Sequence, residues 1–300
     1  MKDDIRLAAV GDNCIDLYDQ TGDAYPGGNP VNVAVYTVRL GGSASYTGVV
    51  GDDKYGGLMR QAVAAKGVDV SHLHTEPGST ALSHVTVVNG DRVFGDYEEG
   101  VMENFRLTEE DVDFLCGHDL VVSGLWGRVE GDLPRLKTRG VPVAFDCANR
   151  PEDPAAEKAL PWVDYAFFSN DSAGDRELED ILRAIHTKGP ELVVATRGER
   201  GSLAFDGRWF YRGDIVPCTV VDTMGAGDSF IAGFFYGLSI DQRHSYLTWC
   251  CPTEEFRLPA SVLSPLTLQQ SFYHLLILCS AASRWVSPSA NITLISGSSA

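Results

Sequence analysis

The sequence predicts an α/β protein built on a mostly parallel sheet, with one antiparallel hairpin standing apart from it. Three observations carry that expectation. Short apolar strand-like runs alternate with helical periods, from Leu7–Gly11 and Ser45–Val50 to Val141–Asp146, Tyr165–Ser169 and Glu191–Thr196. Glycines punctuate these segments: Gly11 ends the first strand, Gly41-Gly42 the first helix and Gly67 the second. Between them, Ala81–Val88 and Arg92–Tyr97 flank Asn89-Gly90, a two-residue turn signal, and a tight hairpin does not belong in a sheet joined by crossovers.

Leu7-Ala8-Ala9-Val10-Gly11 reads as a strand buried on both faces, and its end opens on Asp12, Asn13 and Asp16. These three can bind sugar hydroxyls, and they equally suit an ordinary turn. Gly27 and Gly28 allow close backbone approach to a ligand, and Val31–Leu40 reads as a helix with Asn32 on its first turn. Next come a strand at Ser45–Val50, a loop at Gly51–Gly56 and a helix at Leu58–Lys66. Ser71-His72-Leu73-His74 reads as a polar loop rather than a ligand pair. The hairpin carries Asp96, Glu98 and Glu99, either a solvated edge or a reader of a cationic amine. Strands at Asp119–Ser123, Val141–Asp146, Tyr165–Ser169 and Glu191–Thr196 then alternate with helices at Gly131–Arg139 and Glu177–Lys188.

The chain's chemistry concentrates at Val220-Val221-Asp222-Thr223-Met224-Gly225-Ala226-Gly227-Asp228-Ser229, read as strand, tight turn and helix start. Backbone N–H groups of such a turn, at the positive end of a helix, form an anion cradle suited to a phosphoryl group. Asp228 at its edge is either a helix cap or a general base.

Composition narrows the class. A formal charge of -17 leaves no basic surface for a phosphate backbone, which argues against a nucleic-acid partner. The charged start, Met1 to Arg6, has no secretory apolar region, and seven scattered cysteines without CxxC spacing suit buried thiols in a reducing cytoplasm. The seven histidines form no paired metal-ligand pattern. Phe272–Val286 is too short and too interrupted to span a bilayer, so no membrane partner is expected.

Asp222-Thr223-Met224-Gly225-Ala226-Gly227-Asp228 resembles the C-terminal signature of the PfkB, or ribokinase-like, family of sugar and nucleoside kinases. Gly27-Gly28-Asn29-Pro30-Val31-Asn32-Val33-Ala34 resembles its N-terminal signature. Gly11–Asp16, Val49–Gly56 and Arg92–Met102 are similar to members acting on the lysyl-sugar fructoselysine. The resemblance runs from about Leu7 to Leu238.

It implies a ribokinase-like three-layer α/β/α fold over residues 1–238, with a small β lid from about 12–26 and 81–103. The implied activity is ATP-dependent phosphorylation of a sugar hydroxyl, above all the 6-hydroxyl of fructoselysine; another ketose, a nucleoside, or an impaired sugar- or nucleotide-binding protein are the alternatives. By the same resemblance Asp228 is the base, and Gly225, Ala226 and Gly227 are the anion cradle. Asn13, Asp16, Gly27, Gly28, Asn32 and Asp96 would bind substrate. Thr196, Gly198 and Gly201, from a Thr-x-Gly-x-x-Gly pattern, would bind nucleotide with Asp222 and Thr223. The cofactors implied are ATP and Mg2+, the family admits a monovalent cation, and a homodimer through the lid is the implied assembly.

Two patterns depart from the family. At Asn170-Asp171-Ser172-Ala173 the glutamate of Asn-x-x-Glu is missing, with Asp171 or Asp175 as substitutes. In Asp146-Cys147-Ala148-Asn149-Arg150 the asparagine of Asp-x-Asn-x-Arg comes one place late. Residues 239–300 change character, with six charged residues, no lysine and one glycine. They read as a substituted, frame-shifted terminus, a genuine extension being the alternative. The Phe230, Phe234 and Phe235 stripe is expected to need cover from whatever follows, leaving a poorly packed end and weak ATP affinity.

Overall fold

The computed structural model describes residues 5–88, 91–215 and 225–248, so Asp222, Thr223 and residues 249–300 lie outside the described residues. Strand β1 (Arg6–Val10) is apolar on both faces, and Leu7 to Val10 are fully buried. There follow β2 (Cys14–Tyr18), β3 (Ala24–Gly27), α1 (Asn29–Arg39), β4 (Ser43–Gly51), α2 (Lys54–Ala65) and β5 (Leu73–Glu76). The hairpin is β6 (Leu82–Val88) with β7 (Asp91–Glu98). Then come α3 (Glu109–Cys116), β8 (Leu120–Gly124), α4 (Leu133–Thr138), β9 (Val143–Asp146), α5 (Pro154–Ala159), β10 (Tyr165–Ser169), α6 (Asp175–His186), β11 (Leu192–Thr196), β12 (Ser202–Phe205), β13 (Phe210–Gly213) and α7 (Ala226–Thr248).

One nine-stranded sheet runs β13-β12-β11-β10-β9-β8-β1-β4-β5, parallel from β11 through β5. The chain builds outward from β1 to β4 and β5, then returns to the other side of β1 through β8 to β11. That reversal opens a crevice at the strands' C-terminal ends, where the loops after β1, β8 and β9 meet. The hairpin joins a second, four-stranded sheet, β3-β2-β6-β7, apart from the large one.

Three short elements depart from the sequence expectation. Residues 71–74, expected as a polar loop, run into β5, an edge strand too short and polar to announce itself. The antiparallel β12 and β13 extend the other edge, joined by a turn in which Asp206 accepts from the Arg208 and Trp209 N–H groups.

Side chains alternate across the large sheet into two cores. Ala8 and Val10 face Val112, Leu115, Leu133, Leu136, Leu178 and Leu182 from α3, α4 and α6. Leu7 and Ala9 face Val33, Ala34, Met59, Ile231 and Phe234 from α1, α2 and α7. The aromatic stripe of α7 does not wait for later residues to cover it. Phe234 packs edge-on to Phe167 at 5.5 Å, Phe235 to Tyr165 at 5.1 Å, and α1 packs alongside. Each such ring contributes about 1.5–3 kcal/mol on burial, so α7 is anchored by the chain that precedes it.

Candidate active site

The site is built where α1 and α7 point their N-terminal turns at the crevice. Gly28 precedes α1 at φ 115°, and a Cβ there would lie 2.8 Å from the Asp12 carbonyl oxygen and from the Asn13 Cα. Only glycine lets the β1–β2 loop press against the start of α1. Gly225, at φ 70°, turns the chain into α7, whose first residues Ala226 and Gly227 are exposed. The N–H groups of a helix's first turn have no partner within the helix and lie at its positive end, as an anion cradle requires.

Asp228, third residue of α7, does not spend its carboxylate on its own turn. Its Oδ1 accepts from Asn29 Nδ2 at 2.7 Å and its Oδ2 from Asn32 Nδ2 at 2.8 Å. The Asn29 amide also donates to Asp146 Oδ2 at 2.8 Å, and the Asn29 backbone N–H donates to Asp12 Oδ2 at 3.2 Å. One asparagine thus gathers three carboxylates from α7, the end of β9 and the loop after β1. Gly124 makes room for it, since a Cβ there would stand 2.6 Å from Asn29 Oδ1. Asn29 Oδ1 and Asp12 Oδ1 are buried without a hydrogen-bond partner among the described residues.

This crowding sets the ionisation. Burial pushes Asp228 up to about 6, partly opposed by the bonds from Asn32 and Asn29. Asp146 rises to about 7 through burial and then the charge of Asp228, and Asp12 to about 6, chiefly through burial. Carboxylates this close titrate as a set, with protonation traded among them near neutrality. A base in that range is well matched to accepting a hydroxyl proton.

The pfkB family carbohydrate kinase model matches residues 5–244. The chain belongs to the pfkB family of carbohydrate kinases. It is 46% identical over 233 residues to the fructoselysine 6-kinase of Escherichia coli (strain K12), covering 78% of this chain and 89% of that protein. It is 37% identical over 246 residues to a fructosamine kinase of Bacillus subtilis (strain 168), covering 81% and 86%. Among solved structures, Arabidopsis thaliana ribokinase complexed with ribose and ATP superposes with a TM-score of 0.73 at 19% identity, over 92% of this chain and 99% of that one. The ribokinase-like α/β fold follows, and this pfkB chain is a sugar kinase.

The remaining residues singled out in this pfkB kinase fall into three places. Asp16, on β2, lies against Gly27 of β3, where a Cβ would approach its Oδ2 to 2.9 Å. Asn13 is 0% exposed, and its amide donates to the Tyr46 hydroxyl at 2.9 Å and the Val49 carbonyl at 2.8 Å. These bonds fix the Asn13 side chain at the end of β1, behind the Asp12 and Gly28 contact. Thr196 ends β11, and Gly198 and Gly201, both at positive φ, shape the turn to β12, which the Arg197 N–H closes onto the Gly201 carbonyl.

The expectation for Asp175 changes. Two guanidiniums, Arg197 at 2.6 Å and Arg212 at 3.0 Å, hold its carboxylate below its ordinary range, which leaves it ill suited to bind a cation. On the lid, Asp96 is exposed, Glu98 lies 3.5 Å from His84 Nε2, and Glu99 pairs with Arg128. Of the three acids, Glu99 thus has a guanidinium partner within the chain.

Asp12 was read only as a partner for sugar hydroxyls, and Asn29, Asp146 and Arg128 were given no role of their own. Asn29 stood inside the Gly27-to-Ala34 signature, and Asp146 stood at a parallel strand's C-terminal end. Nothing in the sequence tells that one asparagine binds carboxylates 117 and 199 residues away.

Proposed function

We propose that this kinase transfers the γ-phosphoryl group of ATP to the 6-hydroxyl of fructoselysine, with Asp228 as the general base. The observation that carries this reading is the Asp228 carboxylate, held between two α1 amides at the mouth of the Gly225-Ala226-Gly227 turn and poised near pH 6. The hydroxyl proton passes to Asp228 as the sugar oxygen attacks the γ-phosphorus. The bond from phosphorus to the β,γ-bridging oxygen breaks and ADP departs. The turn's amides meet the charge on the transferring oxygens.

Mg2+, when bound with the nucleotide, offsets phosphate charge. It takes hard oxygen donors, and Asp146 and Asp12, whose Oδ1 is buried and has no partner among the described residues, fit that demand better than Asp175. Thr196, Gly198 and Gly201, with Asp222 and Thr223, are assigned to the nucleotide, and Asp16, Gly27, Gly28 and Asn32 to the sugar.

The substrate choice is supported by the two relatives, named for fructoselysine and fructosamine. It is also supported by the Glu99–Arg128 pair, since a lysyl group carries an ammonium and a carboxylate that match both partners. A coupled assay of ADP release across fructoselysine, fructose, ribose and adenosine tests it. Fructoselysine should give the highest kcat/KM, and equal or better turnover of fructose rejects the lysyl assignment.

A further inference from the structure

Two histidines and a buried aspartate meet at the sheet edge, on elements that contribute nothing to the carboxylate set around Asp228. His72 lies in the turn that leads into β5 and His74 lies within that strand. Opposite stands α3, where Asp111 forms a reciprocal capping box with Thr108. Asp111 Oδ1 lies 2.8 Å from His72 Nδ1 and 2.8 Å from His74 Nε2. Its Oδ2 accepts from the Thr108 N–H at 3.0 Å and the Thr108 hydroxyl at 2.7 Å. The carboxylate is thereby fixed, and a single oxygen faces the two rings. Phe114, one turn along α3, stacks on His72 with centroids 3.8 Å apart and fixes that ring's plane. The Asp111 side chain is fully buried, that of His72 15% exposed and that of His74 39% exposed, so the cluster is sealed from within and approachable from the His74 side.

We propose that His72, His74 and Asp111 form a binding site for a divalent transition metal, zinc in the first place, which ties edge strand β5 to helix α3. Two imidazole nitrogens and a carboxylate oxygen are the borderline donors that zinc takes, with the fourth position left to water. The three ligand atoms already lie within 4.8 Å of one another. Zinc bonds of about 2.0–2.1 Å at tetrahedral angles set ligand atoms about 3.3 Å apart, so the 2.8 Å contacts need open by only about half an ångström. Without a metal, both rings must donate N–H to the one oxygen; the metal takes the place of those two protons and binds the nitrogen lone pairs. Thr108 supplies the outer hydrogen bonds that orient a ligating carboxylate.

The test reads metal and stability, not turnover, and so stands apart from the kinase assignment. Full-length protein stripped with a chelator is titrated with zinc by calorimetry and with cobalt by visible absorption. One equivalent should bind, cobalt should show the intense bands of a four-coordinate ion, and zinc should raise Tm. His74→Gln should weaken zinc about tenfold or more and abolish the cobalt bands. Its metal-free Tm should stay near the parent's, because the ring it replaces is part-exposed. No saturable zinc uptake by the parent overturns the proposal. So does an equivalent of zinc retained at parental affinity in His74→Gln, which places the metal elsewhere.

Discussion

Replacing Asn29 with alanine tests how α1 sets the ionisation of Asp228. The Asn29 amide donates to Asp228 at 2.7 Å and to Asp146 at 2.8 Å, and nothing in an alanine replaces it. A hydrogen bond to a charged group is worth about 1.5–3 kcal/mol. With 1.36 kcal/mol to each pKa unit, the lost donor lifts Asp228 by about 1–2 units from its present value of about 6. Burial, the larger cause of the raised value, stays in place. A base works ionised, so activity fails as pH falls through its pKa, and the acid limb of kcat/KM moves from near pH 6 to about 7–8. At pH 7 the ionised fraction drops from about nine-tenths to between about a half and a tenth, while at about pH 9 parent and variant converge. Steady-state kinetics across that range, with circular dichroism to confirm the fold, makes the measurement. A loss of equal size at every pH, with the acid limb unmoved, refutes the argument and leaves Asn29 a purely positional role.

Two further outcomes follow from the same geometry. Asp146 and its neighbours have folded-state pKa values of about 6–7, above their ordinary 3.8, so the folded state holds their protons more tightly. Their stabilising effect is complete below the ordinary carboxylate range and is lost as pH rises through about 7. Tm of the ligand-free chain should therefore fall between about pH 5 and 8, and Asp146→Asn should flatten that fall; an unchanged slope rejects the assignment. On the lid, neutralising Asp96, Glu98 and Glu99 together should raise KM for fructoselysine several-fold more than for fructose. Exposed pairs are worth only about 0–1 kcal/mol, so equal effects on both sugars would mark the cluster as a solvated edge.

The fold was legible where the chain repeats one physical pattern. Apolar runs such as Leu7–Val10 and Leu192–Thr196 are buried on both faces and announce parallel strands, and Asn89-Gly90 announced the hairpin that became β6 and β7. What stayed hidden was short or conditional on tertiary contact. Strand β5 exists because β4 offers it an edge, and β13 because β12 does. In the site, Asn32 and Asp228 were separately visible in their signatures, and they stand 2.8 Å apart. Asn29 was visible there too but without its role, and Arg128 lay in no signature, because the meaning of both lies in partners brought together only by the crossovers. The contact of the histidines with Asp111 was hidden for the same reason. His72 and His74 look like loop polarity until α3 sets Asp111 against them.

The most direct test of the central claim is the turnover of fructoselysine by Asp228→Asn beside the parent, at saturating ATP and neutral pH. Asparagine keeps the shape of the side chain and removes the base. kcat should fall about 10²–10⁴-fold, with KM for the sugar little changed. Turnover within a few-fold of the parent would contradict it and make Asp228 a partner of the α1 asparagines and nothing more.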